Sequence, residues 1–290
     1  MHAPTKQSSM IPLAIATCRP LPEPDPDEGL LVGALRDAGI DARMTPWRDD
    51  LDGTVATPTL IRSTWDYVHH HDEFLSWVDA AERRAPLWNP ARVVRSNLHK
   101  RYLLDLERRG VPATPTELVD RGDARSLVDV VADRGWREVV IKPAIGAGSF
   151  ETHRGRASDP VLQARFARLV AACDVLVQAY LDSVEGHGER ALVWIDGAFT
   201  HAVRKSPRFA ADSERVSGAL AIAADERAVG EAALEDVADG LLYARVDVAP
   251  GPDGRPVVME VELVEPSLFL LQEPRALARV VAGILRRLRA

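Results

Sequence analysis

The chain is poor in the features that mark secreted, membrane-spanning and metal-clustering proteins. It has only two cysteines, Cys18 and Cys173, which stand far apart and in no redox or metal-ligand spacing. We therefore expect no disulfide framework, and a reducing cytoplasm fits the composition. No apolar run approaches the roughly 20 residues that cross a bilayer, and residues 1–10 are too polar for a signal peptide. The expected protein is cytoplasmic and makes no contact with a membrane.

An excess of positive charge is also lacking. The formal net charge is −7 and the sequence pI is about 5.7, which argues against a nucleic-acid binder dominated by phosphate contacts. Neither a Walker A pattern nor a Rossmann glycine fingerprint is present, and protein-kinase signatures are missing. Three consecutive histidines at 69–71 invite a metal interpretation. Consecutive side chains cannot all face one site, however, so surface or loop positions are favoured.

Apolar periodicity divides the chain into three regions. Strands are expected at 11–17, 40–46 and 59–61, with helices at 29–38 and 73–84, which together predict a small α/β domain. Further helices are expected at 98–109, 125–134 and 225–241. A chain of this length accommodates two or three domains, and we place them at residues 1–95, 96–174 and 175–290. The fold class is α/β, with α+β character in the C-terminal part.

An acidic hairpin gives the strongest local signal. Two apolar, β-branched runs flank the turn sequence Pro-Gly-Pro-Asp-Gly at 250–254. Because side chains alternate along a strand, Glu260 and Glu262 share one face, and the hairpin partner brings Asp247 beside them. Three such carboxylates favour a hard divalent cation, Mg²⁺ or Mn²⁺, which usually serves substrate phosphates. The alternative is a solvated strand face that carries its acids by chance.

A second signal is a lysine followed by a glycine-rich turn. Lys142 ends the apolar run 138–143, and Gly-Ala-Gly-Ser follows at 146–149. A lysine at such a position is costly to desolvate without an anionic partner. The turn lets backbone N–H groups approach phosphate oxygens. An ordinary hairpin turn is the alternative for the glycine segment taken alone.

The order of these motifs, from about residue 97 to the C-terminal end, resembles the ATP-grasp superfamily. The resemblance implies an ATP-grasp fold behind an N-terminal Rossmann-like domain, with ATP and Mg²⁺ (or Mn²⁺) as cofactors. The implied nucleotide contacts are Lys100, Lys142, Gly146, Gly148, Ser149, Gln178, Ala179, Tyr180, Leu181 and Glu189. The implied metal ligands are Asp247, Glu260 and Glu262. The third of these departs from the family, which usually has asparagine there.

Two further runs are similar to the group that contains the cycloserine-forming cyclo-ligase and the glutathione-synthetase-like ligases. They are Ile-Arg-Ser-Thr-Trp-Asp-Tyr at 61–67 and Glu-Leu-Val-Glu-Pro-Ser-Leu-Phe at 262–269. This resemblance implies a small amino-acid-like substrate near the N-terminal domain. Arg62 would hold the carboxylate of the substrate and Asp66 its amine, and Tyr67 would also contact the substrate. In the alternative, the aromatic residues pack between domains and Arg62 pairs with a nearby acid.

The implied activity is that of an ATP-dependent ligase. A substrate carboxylate attacks the γ-phosphoryl group of ATP, and an amine then attacks the acyl phosphate, with catalysis mostly by positioning and electrostatics. Arg204, Lys205 and Arg215 are the candidates for stabilising the acyl phosphate, and a solvated strand end is the alternative for the first two. Residues 186–188 and 206–218 are candidate lids.

Two other functions compete with the ligase. One is an ATP-dependent phosphotransferase that stops at a stable phosphorylated product. The other is a nucleotide-binding partner protein without turnover. The sequence leaves open the substrate, the choice between one or two metal ions, and whether the attacking amine belongs to a second molecule. Because related enzymes are often dimers or tetramers, a homo-oligomer is compatible with the resemblance.

Overall fold

The computed structural model describes residues 10–50, 56–206 and 215–289, which contain three four-stranded sheets. The N-terminal sheet consists of β1 (Ile11–Thr17), β2 (Ile40–Pro46), β3 (Thr59–Ser63) and β4 (Leu87–Trp88). All its strands are parallel, in the order β2-β1-β3-β4. Helices α1 (Glu28–Asp37) and α2 (His71–Arg84) pack on it through their buried leucines and aromatic residues. The predicted α/β character of this region is confirmed.

The central sheet is antiparallel, in the order β5-β8-β6-β7. Its strands are β5 (Thr116–Val119), β6 (Glu138–Pro143), β7 (His153–Arg156) and β8 (Val175–Ala179). The helices α5 (Leu127–Val131) and α6 (Pro160–Ala172) cover it, with Phe166 and Leu169 in the shared core. Strand β8, which follows the expected domain boundary at 174/175, pairs with both β5 and β6 and therefore lies in this sheet.

The C-terminal sheet is also antiparallel, in the order β10-β9-β11-β12. Its strands are β9 (Glu189–Ile195), β10 (Ala198–Lys205), β11 (Tyr243–Pro250) and β12 (Pro256–Glu262). Three helices accompany it: α7 (Ser183–Gly186), α8 (Ala224–Leu234) and α9 (Pro274–Arg289). Helix α9 buries Val280 and Ile284 in one core with residues of both the N-terminal and C-terminal sheets. These two sheets are therefore stabilised together.

Three predicted helices differ from those in the structure. The expected helix at 98–109 begins only at Tyr102, as α4 (Tyr102–Arg108). Residue 98 ends a separate helix, α3 (Ala91–Leu98), because His99 is extended and the Lys100 N–H donates to the Ala144 carbonyl at 2.8 Å. Helix α5 begins only after Ser126, whose side chain caps it, and α8 ends before residue 235. No helix within the described ranges is long and apolar enough to cross a membrane.

Candidate active site

A cavity of about 730 Å³ lies where the three sheets meet. Its walls come from β6, β8 and the glycine turn of the central sheet, from β11 and β12, and from the segments that follow β1 and β3. Strands β1 and β3 are parallel and end at the same sheet edge, so the chain after each of them reaches the cavity. The volume is in the range of small-molecule and cofactor sites.

The acidic hairpin forms one wall of the cavity. In the register of β11 and β12, Asp247 lies opposite Glu260, and Arg245 lies opposite Glu262. All four side chains line the cavity. The hairpin and the shared face of its carboxylates, which strand alternation predicts, are therefore confirmed.

The acids of this wall are held by cations. The Asp247 carboxylate accepts hydrogen bonds from Lys205 Nζ at 2.6 Å and from Arg245 Nε and Nη2 at 2.8 and 2.9 Å. Burial raises its pKa, but the two cations outweigh burial and hold the pKa below its ordinary value. Glu262 also accepts a hydrogen bond from Arg245. Burial, together with the charges of Glu260 and Asp247, nevertheless raises the pKa of Glu262 to about 7.

Two lysines converge on Glu260 from the central sheet. Lys100 Nζ lies 2.9 Å from one carboxylate oxygen and donates to the Gly146 carbonyl at 2.7 Å, while Lys142 Nζ lies 3.6 Å from the other oxygen. Burial raises the pKa of Glu260, but the lysines reverse this effect and lower it to about 2. The break between α3 and α4 is what directs Lys100 into the cavity.

The glycine turn covers one side of the cavity and reaches the N-terminal region. Gly148 and Ser149 have φ angles of +56° and +62°, a left-handed conformation that glycine adopts without strain. Phe150 meets the His69 ring edge-to-face, with centroids 5.0 Å apart. Gly146, Gly148, Ser149 and Phe150 all line the cavity.

The segment at the end of β8 forms the opposite side. Gln178, Ala179, Tyr180 and Leu181 line the cavity, as does Glu189. Gln178 Nε2 donates to Thr116 Oγ1 at 2.9 Å, and the Arg154 guanidinium stacks on the Tyr180 ring at 3.5 Å. Glu189 lies 3.2 Å from Lys205 Nζ.

The remaining wall is made by the segments that follow β3 and β12. Glu265 is 8% exposed and lines this end of the cavity together with Tyr67. Burial, with a contribution from the Glu262 charge, raises the pKa of Glu265 to about 8. Asp66 also lines this end, and its Oδ1 accepts a hydrogen bond from Trp47 Nε1 at 2.6 Å.

Known proteins share this arrangement. Residues 13–89 match the N-terminal domain of D-cycloserine synthetase DcsG. The chain is 34% identical over 287 residues to the cycloserine biosynthesis protein DcsG of Streptomyces lavendulae, covering 91% of this chain and 95% of that protein. It superposes on the crystal structure of D-cycloserine synthetase DcsG with a TM-score of 0.84 and 32% identity, over 96% of this chain and 99% of that chain.

The chain belongs to the DcsG family of ATP-grasp ligases. It is an ATP-dependent ligase that joins a carboxylate to an amine, between two molecules or within one. Two more distant structures show the same fold. They are the D-alanine–D-alanine ligase of Bacillus anthracis complexed with ATP (TM-score 0.66, 15% identity, 96% of this chain and 97% of that chain) and the ATP-grasp ligase PsnB complexed with Mg and ADP (TM-score 0.62, 17% identity, 95% and 98%).

Within this ATP-grasp cavity the sequence-predicted residues fall into two groups. The cavity brings together Asp66, Tyr67, Lys205, the three predicted metal ligands and all the predicted nucleotide contacts. Three predicted residues do not line it: Arg62, Arg204 and Arg215.

Arg62 is 3% exposed and lies in the protein interior. Its guanidinium donates to the Pro266 carbonyl at 2.8 Å and lies 3.6 and 3.9 Å from Asp25 and Asp27. The geometry therefore corrects the expectation that Arg62 holds a substrate carboxylate, in favour of pairing with nearby acids. A segment that precedes α1 supplies both acids.

The other two arginines are exposed, Arg204 because alternation along β10 directs it away from the face that carries Lys205. Of the two candidate lids, residues 207–214 of the second lie outside the described residues. The first lid is packed: Gly188 has φ +75°, and a Cβ there would stand 2.6 Å from the Lys205 carbonyl oxygen. Only glycine fits that approach without displacement.

Sequence reasoning missed two residues of the site. Arg245 stands two positions before Asp247, so strand alternation alone places both on one face, and that signal was available. Glu265 follows β12 in an irregular segment where no periodicity fixes its direction. Only its place in the folded chain, on the cavity wall near Tyr67, identifies it as a cavity residue.

The predicted metal ligands supply only oxygen donors, which suits Mg²⁺. In the part of the chain that the structure describes, no acidic, histidine or cysteine side chains are grouped around a common metal position. Lysine and arginine nitrogens lie on these oxygens instead. Burial, with a further contribution from the negative charges of Glu260 and Asp247, raises the pKa of Glu262 despite the nearby Arg245. The donor chemistry and the local charge therefore fit a divalent ion, and the metal assignment stays a prediction.

Proposed function

We propose that this chain uses ATP and Mg²⁺ to convert an amino-acid-like carboxylate into an acyl phosphate, which an amine of the same molecule then attacks to close a ring. The observation that carries the proposal is the single cavity in which Lys100, Lys142, Lys205 and Arg245 face the carboxylates of the acidic hairpin. Such a set of opposed charges suits phosphoryl transfer.

The chain's residues act by positioning and charge. A substrate carboxylate oxygen forms a bond to the γ-phosphorus of ATP, and the bond to the β–γ bridging oxygen breaks, so that ADP leaves with the electron pair. Lys100 and Lys142, now on Glu260, would turn their charge toward the phosphates. Arg245 and Lys205 would stabilise the acyl phosphate. The amine nitrogen then bonds to the acyl carbon, phosphate leaves, and the nitrogen loses a proton.

Asp247, Glu260 and Glu262 would hold Mg²⁺, which on binding neutralises charge on the β- and γ-phosphate oxygens. The likeness to D-cycloserine synthetase supports ring closure over joining two molecules. It also supports an amino-acid-like substrate. A cytoplasmic location, which the low cysteine content suggests, completes the proposal.

The test is ATP- and Mg²⁺-dependent phosphate release with a panel of amino acids and related carboxylates, with hydroxylamine present. Hydroxylamine traps an acyl phosphate as a hydroxamate, so one carboxylate should give hydroxamate in step with phosphate. Without hydroxylamine, mass spectrometry should detect a cyclised product that is lighter than the linear acid by one water. A stable phosphorylated product without hydroxamate would instead support the phosphotransferase.

Lys142→Ala should lower kcat/KM for ATP by about 10²–10³-fold, because a charged donor to the phosphates is lost. Its circular dichroism spectrum should match that of the unaltered protein. Undiminished turnover by Lys142→Ala would contradict the assignment of this cavity to ATP.

A further inference from the structure

A pair of side chains outside the cavity holds the short connection between α3 and α4. His99 Nε2 lies 3.2 Å from the Asp174 carboxylate, and neither residue lines the cavity. Lys100, the next residue after His99, does line it and is only 7% exposed. Its Nζ lies 2.9 Å from Glu260 and donates to the Gly146 carbonyl at 2.7 Å. The pair therefore adjoins a cavity lysine without being part of the cavity.

The hydrogen bonds of the His99 ring determine where its proton lies. The Arg101 backbone N–H donates to His99 Nδ1 at 3.1 Å, so Nδ1 is an acceptor. The neutral ring then carries its proton on Nε2, which donates it to the Asp174 carboxylate. Both ring nitrogens thus have a partner, one near in sequence and one distant. The bond to Asp174 is the one that ties the connection to another part of the fold.

Asp174 reaches the connection by a second route, through its backbone. Its carbonyl accepts the Ala144 N–H at 2.8 Å, and the Ala144 carbonyl in turn accepts the Lys100 N–H at 2.8 Å. The second carboxylate oxygen of Asp174 accepts the Arg121 N–H at 2.8 Å. Burial raises the pKa of Asp174, but the Arg121 N–H and the His99 ring outweigh burial and lower the pKa. The carboxylate is therefore ionised at neutral pH, and its bond to His99 is charge-assisted.

The same connection is tied to the opposite sheet. Asn97 Nδ2 donates to the Val261 carbonyl at 2.8 Å, and its Oδ1 accepts a backbone N–H of the segment after β12 at 2.8 Å. Asn97 is thus bound to the strand that carries Glu260, whereas His99 is bound to the residue that precedes β8. Lys100 follows both ties. A lysine side chain is long and flexible, so a fixed backbone reduces the freedom that its ammonium group loses on meeting an anion.

We propose that His99 and Asp174 are positioning residues that direct Lys100 toward the phosphates of the nucleotide. This inference rests on the proposed function, because it takes the cavity to bind ATP. Neither side chain touches the nucleotide, and the pair acts through the backbone of Lys100. Without the bond, less would oppose the apolar pattern that favours a helix from residue 98, and the lysine would face the cavity for less of the time.

The test uses two replacements of His99, each of which keeps one of its two bonds. Glutamine places its amide nitrogen near the position of Nε2, so His99→Gln keeps a donor to Asp174. Asparagine is shorter, so His99→Asn keeps an acceptor for the Arg101 N–H but does not reach Asp174. In calorimetric titrations of the full chain with ADP and Mg²⁺, His99→Asn should bind ADP about 10-fold more weakly, and His99→Gln should change little.

Adenosine separates an effect on Lys100 from a general change in the site. It has no phosphates, so its affinity should be the same for His99→Asn and for the unaltered protein. Lys100→Ala should weaken ADP binding by about 100-fold. Adding His99→Asn to Lys100→Ala should cause no further loss, because the lysine through which the pair acts is gone. Glu107→Gln, on the exposed surface of α4, is the control and should change nothing.

Four results would overturn the inference. His99→Asn could bind ADP as tightly as the unaltered protein, or lose adenosine affinity as much as ADP affinity. His99→Gln could lose as much ADP affinity as His99→Asn. The losses of His99→Asn and Lys100→Ala could add in the double variant. Failure of Lys100→Ala to weaken ADP binding would instead count against the proposed function.

Discussion

Replacing Glu265 by glutamine should make the ligand-free protein more stable, and increasingly so as the pH rises. The carboxyl ordinarily titrates near pH 4.5, but burial and the Glu262 charge raise its pKa in the folded protein to about 8. Below pH 4.5 it is protonated in both states, so it has no effect on the pH dependence of unfolding. Between these two values the unfolded chain ionises and the folded chain does not, so folding is progressively disfavoured. Above pH 8 the cost is constant.

The magnitude follows from that difference in pKa. Each pH unit between the two values costs the folded state about 1.4 kcal/mol, which amounts to about 3 kcal/mol at pH 7. Glutamine removes the cost but buries an amide whose N–H groups need partners, at about 1 kcal/mol. The variant should therefore be more stable by about 2 kcal/mol at pH 7, and about equal in stability near pH 5.

The assay is urea unfolding at pH 5, 6, 7 and 8, without nucleotide or divalent ions, with Glu107→Gln as a control that should show no such trend. The informative quantity is the slope of the stability difference with pH. A difference that does not change with pH would refute the reasoning, because it would mean that Glu265 ionises in the folded protein as it does in the unfolded chain.

Four further substitutions test other parts of the structure. Tyr243→Phe removes a buried hydroxyl that lies within 3.1 Å of three carbonyl oxygens, so the free energy of unfolding should fall by about 1–3 kcal/mol, and no change in a urea titration would contradict this. Gly188→Ala should cost about 2–4 kcal/mol, because its Cβ would collide with the Lys205 carbonyl. Gly254→Ala, with a positive φ but open space, should cost only about 1 kcal/mol; equal losses would show that the collision is relieved. Asp27→Asn should raise KM for the carboxylate substrate about 10-fold while kcat changes less, since the segment carrying Glu265 loses a charged anchor, and an unchanged KM would exclude that role.

Some of the active site follows from local pattern alone. The turn sequence between two β-branched runs predicts the hairpin of β11 and β12, and alternation then places Asp247, Glu260 and Glu262 on one face. Lys142 ends a buried strand for the same reason, and the glycine turn follows it. These features depend on residues close in sequence, where backbone geometry leaves few choices. The family resemblance added the order in which they occur.

Other features depend on contacts between distant parts of the chain. The sequence predicts that Arg62 binds a ligand. In the folded protein, however, Asp25, Asp27 and the Pro266 carbonyl surround its guanidinium. Strand β8 is indistinguishable in sequence from a strand of the C-terminal sheet, and only its pairing with β5 and β6 assigns it to the central one. The start of α4 also depends on a distant contact. The Lys100 N–H bonds to the Ala144 carbonyl, although the apolar pattern favours a helix that begins at residue 98.

The sequence by itself therefore determined the order of the motifs, the acidic hairpin and the class of chemistry. Tertiary structure decided which charges meet: Lys100 and Lys142 with Glu260, and Lys205 with Asp247. The physical reason is that strand alternation and turn chemistry act over a few residues, whereas the electrostatics of a cavity depend on how separate sheets pack around it. The burial of Glu265 in the cavity wall could be recognised only after that packing was known.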